Sequence, residues 1–154
     1  MFHFVIPGEP VPAGRPRAYI NKALGRAGVH MPGKSSAWQA TAAMLMRSEW
    51  GGRAPISAAV RAHLQFVSSR PKALLRKSSP EGRIWRTSRG DIDNLIKAAL
   101  DAAVDAGVLL DDALVVSVQA EKLHVRKQEG ACVALWLELQ HAAPVEDLTM
   151  AGAR

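Results

Sequence analysis

Cysteine is nearly absent. Cys132 stands alone in a chain of 154 residues, which excludes an intrachain disulfide framework and any cysteine-built zinc site within one chain. It lies in the apolar run Ala131-Cys132-Val133-Ala134-Leu135-Trp136-Leu137, where a buried core thiol is expected. Long apolar runs are missing as well. Nothing approaches the roughly 18 consecutive residues of a membrane-spanning helix, so no membrane association is expected. The start, Met1-Phe2-His3-Phe4-Val5-Ile6-Pro7-Gly8, lacks the basic flank and long apolar centre of a signal peptide, and a cytoplasmic location is expected. There is no internal repeat, and no His/Asp/Glu spacing of the zinc type. Acidic residues are the minority: 14 Asp and Glu against 20 Lys and Arg, a net charge of +6. That surplus suits a polyanionic partner, although a soluble basic protein of any kind has the same balance.

What is present is a chain of one-domain length, 48% hydrophobic, long enough to bury a real core. Residues 2–6 alternate and read as a short first strand stopped by Pro7-Gly8. Residues 7–34 hold five prolines, with basic Arg15, Arg17, Lys22 and Arg26, and read as a long functional loop. Ser35 or Ser36 is a candidate cap for a helix through Ala37–Trp50 that ends at Gly51-Gly52 and puts Trp38, Ala42, Leu45 and Met46 on one face. Val60, Ala62, Leu64 and Phe66 alternate within a strand over 56–68. Residues 71–77 suit a short helix inside a basic stretch, 70–89. A second helix opens at Asp91, with Leu95, Ile96, Ala99, Leu100, Ala103 and Val104 as its apolar stripe and Gly107 as its stop. Two strands follow, 114–126 and 131–139, joined by a turn at Lys127-Gln128-Glu129-Gly130 that suits an antiparallel hairpin. The order β-α-β-(α)-α-β-β implies a small α/β or α+β domain with a mixed sheet of about four strands and two main helices. It spans residues 1–140, with 141–154 as a peripheral tail open to disorder.

The chemistry-bearing segment is Arg89-Gly90-Asp91-Ile92-Asp93-Asn94-Leu95-Ile96-Lys97, followed by Leu110-Asp111-Asp112. Asp91 and Asp93 stand two apart at a helix start. Lys97, four residues after Asp93, shares its helical face. Neighbouring carboxylates repel, and a divalent cation removes that repulsion while gaining oxygen ligands. Ordinary roles fit the same residues: aspartate is favoured at helix N-termini, Asp93 and Lys97 suit a surface ion pair, and Asp111-Asp112 suits a turn. Spacing alone does not bring Asp112 to the helix start, because the connection between them has an unknown path.

Residues 89–116 as a whole resemble the signature of the RusA family, Holliday-junction resolvases common in bacteria and prophages. The pattern is an Asp-x-Asp-Asn-Leu-x-Lys-Ala run, Asp-Ala, a short spacer, then Asp-Asp-x-x-Val. Pro7-Gly8-Glu9-Pro10-Val11-Pro12-Ala13-Gly14-Arg15-Pro16-Arg17 also looks like the opening of phage-type members. The resemblance implies a homodimeric endonuclease dependent on Mg²⁺, with Mn²⁺ as a substitute, that cuts four-way junctions and related branched DNA in recombination and repair. It implies Asp91, Asp93 and Asp112 as metal-holding acids and Lys97 as the catalytic lysine. Asp111 and Asn94 take supporting roles, and the Asp-Asp pair is brought beside the Asp-x-Asp helix start. Gly90 departs from members with a basic residue or proline there, and Leu114 from members with a polar residue.

Arg15, Arg17, Arg86 and Arg89 are the candidates for phosphate contacts, since basic loops beside an acidic site offset its repulsion of DNA. Trp85 is placed either to stack on an unpaired base or to fill a core or dimer interface. Trp38, Trp50 and Trp136 are expected in the core, and His63 and His124 as structural histidines. Two other functions use the same features: a non-catalytic DNA-binding protein whose acids only cap and turn, and a metal-dependent hydrolase of a small phosphate ester.

Overall fold

The hydrophobic alternation of one strand decides the architecture. Val60, Ala62, Leu64 and Phe66 have no exposed surface at all, so the strand that carries them must lie inside the sheet. In the computed structural model, residues 1–14, 17–21, 26–30, 33–88 and 90–140 are described, with 17–21 and 26–30 as backbone only. Among these residues, seven strands and two helices occur in the order β1 (Phe2–Pro7), β2 (Arg17–Asn21), β3 (Arg26–His30), α1 (Gly33–Trp50), β4 (Val60–Ser68), β5 (Ile84–Trp85), α2 (Ile92–Asp105), β6 (Val115–His124) and β7 (Cys132–Leu139). Short 3-10 helices cover Lys72–Leu75 and Asp112–Leu114. The main sheet has five strands rather than four, in the order β1-β7-β4-β6-β5. It is mixed: β4 runs parallel to β6 and antiparallel to β7.

This order corrects the expected hairpin. β6 and β7 do run in opposite directions, but β4 lies between them. Pairing β4 on both edges buries its apolar face completely, a gain that a local hairpin would forgo. β6 carries exposed Ser117 and Gln119 and suits a position near the rim. The long loop is corrected too. Its prolines cluster before Arg17 and at Pro32, so 17–30 is free to form the antiparallel pair β2–β3.

Both helices cover one side of the sheet. α2 buries Leu95, Ala98, Ala99, Leu100, Ala102 and Ala103, close to the stripe read from its sequence, and Gly107 stops it at φ +73°. α1 starts at Gly33, earlier than expected, and neither serine caps it. Ser35 Oγ accepts from the Gly14 amide, while Ser36 Oγ donates to the Gly33 carbonyl. Trp50 is buried against Phe2 at 4.9 Å between ring centres. Trp136 is only half-buried and lies between the rings of His3 and His63 on the opposite face.

Candidate active site

The start of α2 is built to leave its acids free. Gly90 adopts φ +106°, a conformation L side chains rarely take. Lys122 on β6 fixes this approach, its ammonium donating to the carbonyls of Ser88 (3.0 Å) and Gly90 (2.7 Å). Asp91 then occupies the N-cap. Its carbonyl accepts the first helical hydrogen bond, from Leu95, but its carboxylate makes no capping bond. Asp93 lies in the first turn, where the helix dipole favours a negative charge by about 0.3–1 kcal/mol. Lys97 does not pair with Asp93. Its ammonium turns along the helix to Asp101, at 3.0 Å. Two ordinary explanations of these acids, capping by Asp91 and an Asp93–Lys97 ion pair, are therefore absent.

Asp91 and Asp93 open onto one cavity of about 580 Å³, shared with Trp85, Arg86, Ile92, Ala120, Glu121 and Lys122. Asp112 is elsewhere. It opens a second cavity, of about 210 Å³, with Gln39, Asp101, Val104, Asp105 and Asp111. β6 does return along α2, but Asp112 precedes the strand and stays beside the end of the helix. From Asp93 to Asp101 the helix rises roughly 12 Å. Within one chain the Asp-Asp pair therefore does not join the Asp-x-Asp pair. Among the described residues no trio of His, Cys, Asp or Glu is close enough to hold a metal ion. Asp111 is occupied as a turn cap, its Oδ1 accepting from the Ala113 amide at 2.8 Å. Asn94 contributes its backbone: its carbonyl accepts from the Ala13 amide at 2.8 Å, which ties the proline-rich segment to the first turn of α2.

Among the basic candidates, Arg86 lines the first cavity and donates to Ser68 Oγ (2.7 Å) and Ser88 Oγ (3.0 Å). Arg17 begins β2, without a described side chain, and Arg15, Arg89 and the tail 141–154 lie outside the described residues. Trp85 is 70% exposed, so it is no core residue. Sequence reasoning missed Glu121 and Lys122. The alternation of β6 places them at the strand end that reaches the helix start, which only the topology reveals. Glu121 accepts from Gln65 at 2.9 Å, and Gln65 accepts from Arg83, also at 2.9 Å. Arg83 in turn grips Glu129, holding that carboxyl down at about 2. His124 is buried with Nδ1 at 3.0 Å from the Ser69 carbonyl, a structural role as expected. His63 departs from that reading, since its buried Nε2 has no hydrogen-bond partner among the described residues. Cys132 is half-buried rather than buried, and burial pushes its thiol up, away from reactivity.

Residues 7–135 match the endodeoxyribonuclease RusA family. The chain belongs to that family. The match takes in the proline segment, both helices, the two cavities and most of the sheet. An uncharacterized protein of Bacillus subtilis (strain 168), YqaN, is 29% identical over 125 residues, covering 79% of this chain and 86% of that one. RusA nucleases act on branched DNA junctions and depend on metal. Among the described residues no helix is long and apolar enough to cross a membrane.

Proposed function

We propose that this RusA-family nuclease resolves four-way DNA junctions with Mg²⁺, or Mn²⁺ in its place, at a site centred on Asp91 and Asp93. The observation that carries this reading is the pair of carboxylates on one open cavity at a helix start, neither of them spent on capping or on Lys97. The donor set fits: Mg²⁺ commonly takes one or two protein carboxylates and leaves its other positions to water and phosphate. A divalent cation held there supplies charge neutralisation and Lewis acidity toward the phosphoryl oxygen. In the hydrolysis itself a water oxygen bonds to phosphorus and the bond to the leaving sugar oxygen breaks. One water proton ends on that oxygen. Asp91 and Asp93 hold the cation, and Lys97 stabilises the growing negative charge once a phosphate displaces it from Asp101. Arg15, Arg17, Arg86 and Arg89 contact phosphates, and Trp85 offers an open ring to an unpaired base. Asn94 and Asp111 fix backbone around the two cavities.

Asp112 enters this reading through a homodimer. Beyond Leu123 and His124, which pair with β5, the outer edge of β6 has no strand beside it among the described residues. It exposes Val116 (64%) and Val118 (43%). Asp112 stands at the start of β6, and the Asp91/Asp93 cavity at its end, roughly 26 Å away by strand rise. Antiparallel docking of β6 on β6 of a second copy would set the start of one strand beside the end of the other. Each Asp112 would then face the Asp91/Asp93 pair across the twofold axis, giving two related sites for two symmetric cuts.

The test is cleavage of a synthetic four-way junction. Asp91→Asn should lose about 10³-fold or more in rate, since metal and charge stabilisation go together, while still binding the junction. Unchanged cutting by that variant refutes the site. The competing reading, a non-catalytic DNA-binding protein, requires salt-sensitive binding with no metal-dependent nicking by the wild type.

A further inference from the structure

Arg70 is buried, 7% exposed, with no carboxylate partner among the described residues. Its guanidinium instead donates to backbone carbonyls: Nε to Val125 at 2.7 Å, and Nη1 to Leu74 at 3.2 Å and Pro80 at 2.7 Å. Nη2 donates to Gly82, with Glu81 at 3.5 Å. A charge withdrawn from water and satisfied only by neutral dipoles is a costly arrangement. What it accomplishes is local. It clasps residues 71–83, a loop with little apolar content of its own, into one shape around the 3-10 helix Lys72–Leu75. That shape presents Lys72, Arg76 and Lys77 to solvent, and none of the three makes an ion pair among the described residues. Arg126 is exposed beside the clasped Val125. The one acid of the loop, Glu81, is paired with Lys127 at 2.6 Å.

The placement of this cationic surface matters. The loop follows β4, which ends at Ser68, whose hydroxyl accepts from Arg86, and it runs on into β5 with Trp85. Arg86 and Trp85 line the Asp91/Asp93 cavity. The unpaired cations therefore lie at the same end of the sheet as the acidic site. A bare row of lysines is usually a solvated face, but a solvated face needs no buried arginine to fix its backbone.

We propose that the loop 71–83, held in shape by Arg70, is a preformed cradle for the phosphate backbone of a duplex DNA arm, with Lys72, Arg76 and Lys77 contacting phosphates and Arg70 acting as their positioning residue. The proposal rests on the junction-cutting reading for its substrate, not for its geometry. The cradle and the acidic site then divide the work: one holds an arm by charge, the other meets the strand to be cut.

The experiment is a salt titration of four-way-junction binding in EDTA, so that nothing is cut. It compares wild type, Lys72→Ala/Arg76→Ala/Lys77→Ala and a control with the same charge loss at exposed positions elsewhere, Arg47→Ala/Arg53→Ala/Arg61→Ala. Each phosphate contact adds about 0.9 to the slope of log K against log salt. The loop variant should lose about 2 to 3 from that slope, the control less than about 1. Equal slopes for the loop and control variants overturn the cradle, even if the wild type cuts junctions. A selective loss of slope with no cutting by the wild type sustains the cradle and overturns the catalytic reading instead. Arg70→Lys keeps the charge but not the five-carbonyl clasp. It should speed tryptic cleavage after Lys72, Arg76 and Lys77 and lower the slope, and wild-type behaviour in both removes Arg70 from the proposal. If Arg70→Lys does not fold, the surface variant alone decides.

Discussion

The two ends of α2 look alike in sequence and differ in structure. Each has an aspartate pair close by, Asp91 with Asp93 at the start, and Asp111 with Asp112 beyond the end. At the start, the carboxylates face an open cavity and make no cap or ion pair among the described residues. At the far end the acids are largely engaged: Asp101 with Lys97, Asp105 with Gln39 at 2.7 Å, and Asp111 with the Ala113 amide. Acid count alone therefore does not tell the two ends apart. What matters is whether the carboxylates are committed to the fold, and in this chain the uncommitted pair is at the positive end of the helix dipole.

The largest effect is expected from keeping the two ends apart. Val118→Asp places a charge at an exposed position of β6, whose edge there has no strand beside it among the described residues, so it costs the fold little. In a homodimer paired along that edge it should convert the protein to monomer and reduce junction cutting about 10²-fold or more, because buried like charges across a twofold axis are expensive. Sedimentation and cleavage rates measured together check this, and a fully active monomer removes Asp112 from the site.

A smaller effect separates the roles of Lys97. Lys97→Ala should slow cutting about 10²-fold with little change in binding if the lysine leaves Asp101 to serve the reaction. Loss of the exposed Lys97–Asp101 pair alone would change only stability, by about 0.5 kcal/mol. Single-turnover rates and thermal unfolding distinguish the two.

The smallest effect is expected away from both ends. Glu129 has its carboxyl lowered from 4.5 to about 2 by Arg83. A depressed folded-state value means that the contribution is complete above the unfolded value. It fades as pH falls from about 4.5 toward about 2. The pair is partly exposed, so Arg83→Met should cost at most about 1 kcal/mol at neutral pH. That cost should shrink on acidification through this window, with cutting at neutral pH barely changed. Urea titrations at several pH values measure it.

How much was legible follows from how local each feature is. The stripe of α2, its stop at Gly107 and the alternation of β4 are written in spacings of a few residues, and the structure keeps them. The insertion of β4 between β6 and β7 is a non-local pairing, set by burial of the whole strand, so the turn at 127–130 pointed to the wrong neighbour. The β2–β3 pair was hidden because prolines on either side made the whole segment read as loop. In the candidate site, Asp91 and Asp93 were visible as a pair at the helix start, while Lys97, read on the same face, is turned to Asp101 and lines neither cavity. Glu121 and Lys122 were not visible, since only the return of β6 along α2, antiparallel to the helix, brings them there. The position of Asp112 was the least legible of all, because its path depends on a connection and, in the proposed site, on a second chain.

That last point has a direct measurement. Asp93→Asn and Asp112→Asn are each purified, shown to be inactive, then mixed under conditions that allow subunit exchange and assayed for nicking of a four-way junction with Mg²⁺. If Asp112 of one chain completes the Asp91/Asp93 pair of the other, half of the dimers are mixed and each carries one intact site, so nicking should return to about a quarter of the wild-type level. If the mixture stays as inactive as its components despite demonstrated exchange, the site is not assembled across two chains and the account of Asp112 is wrong.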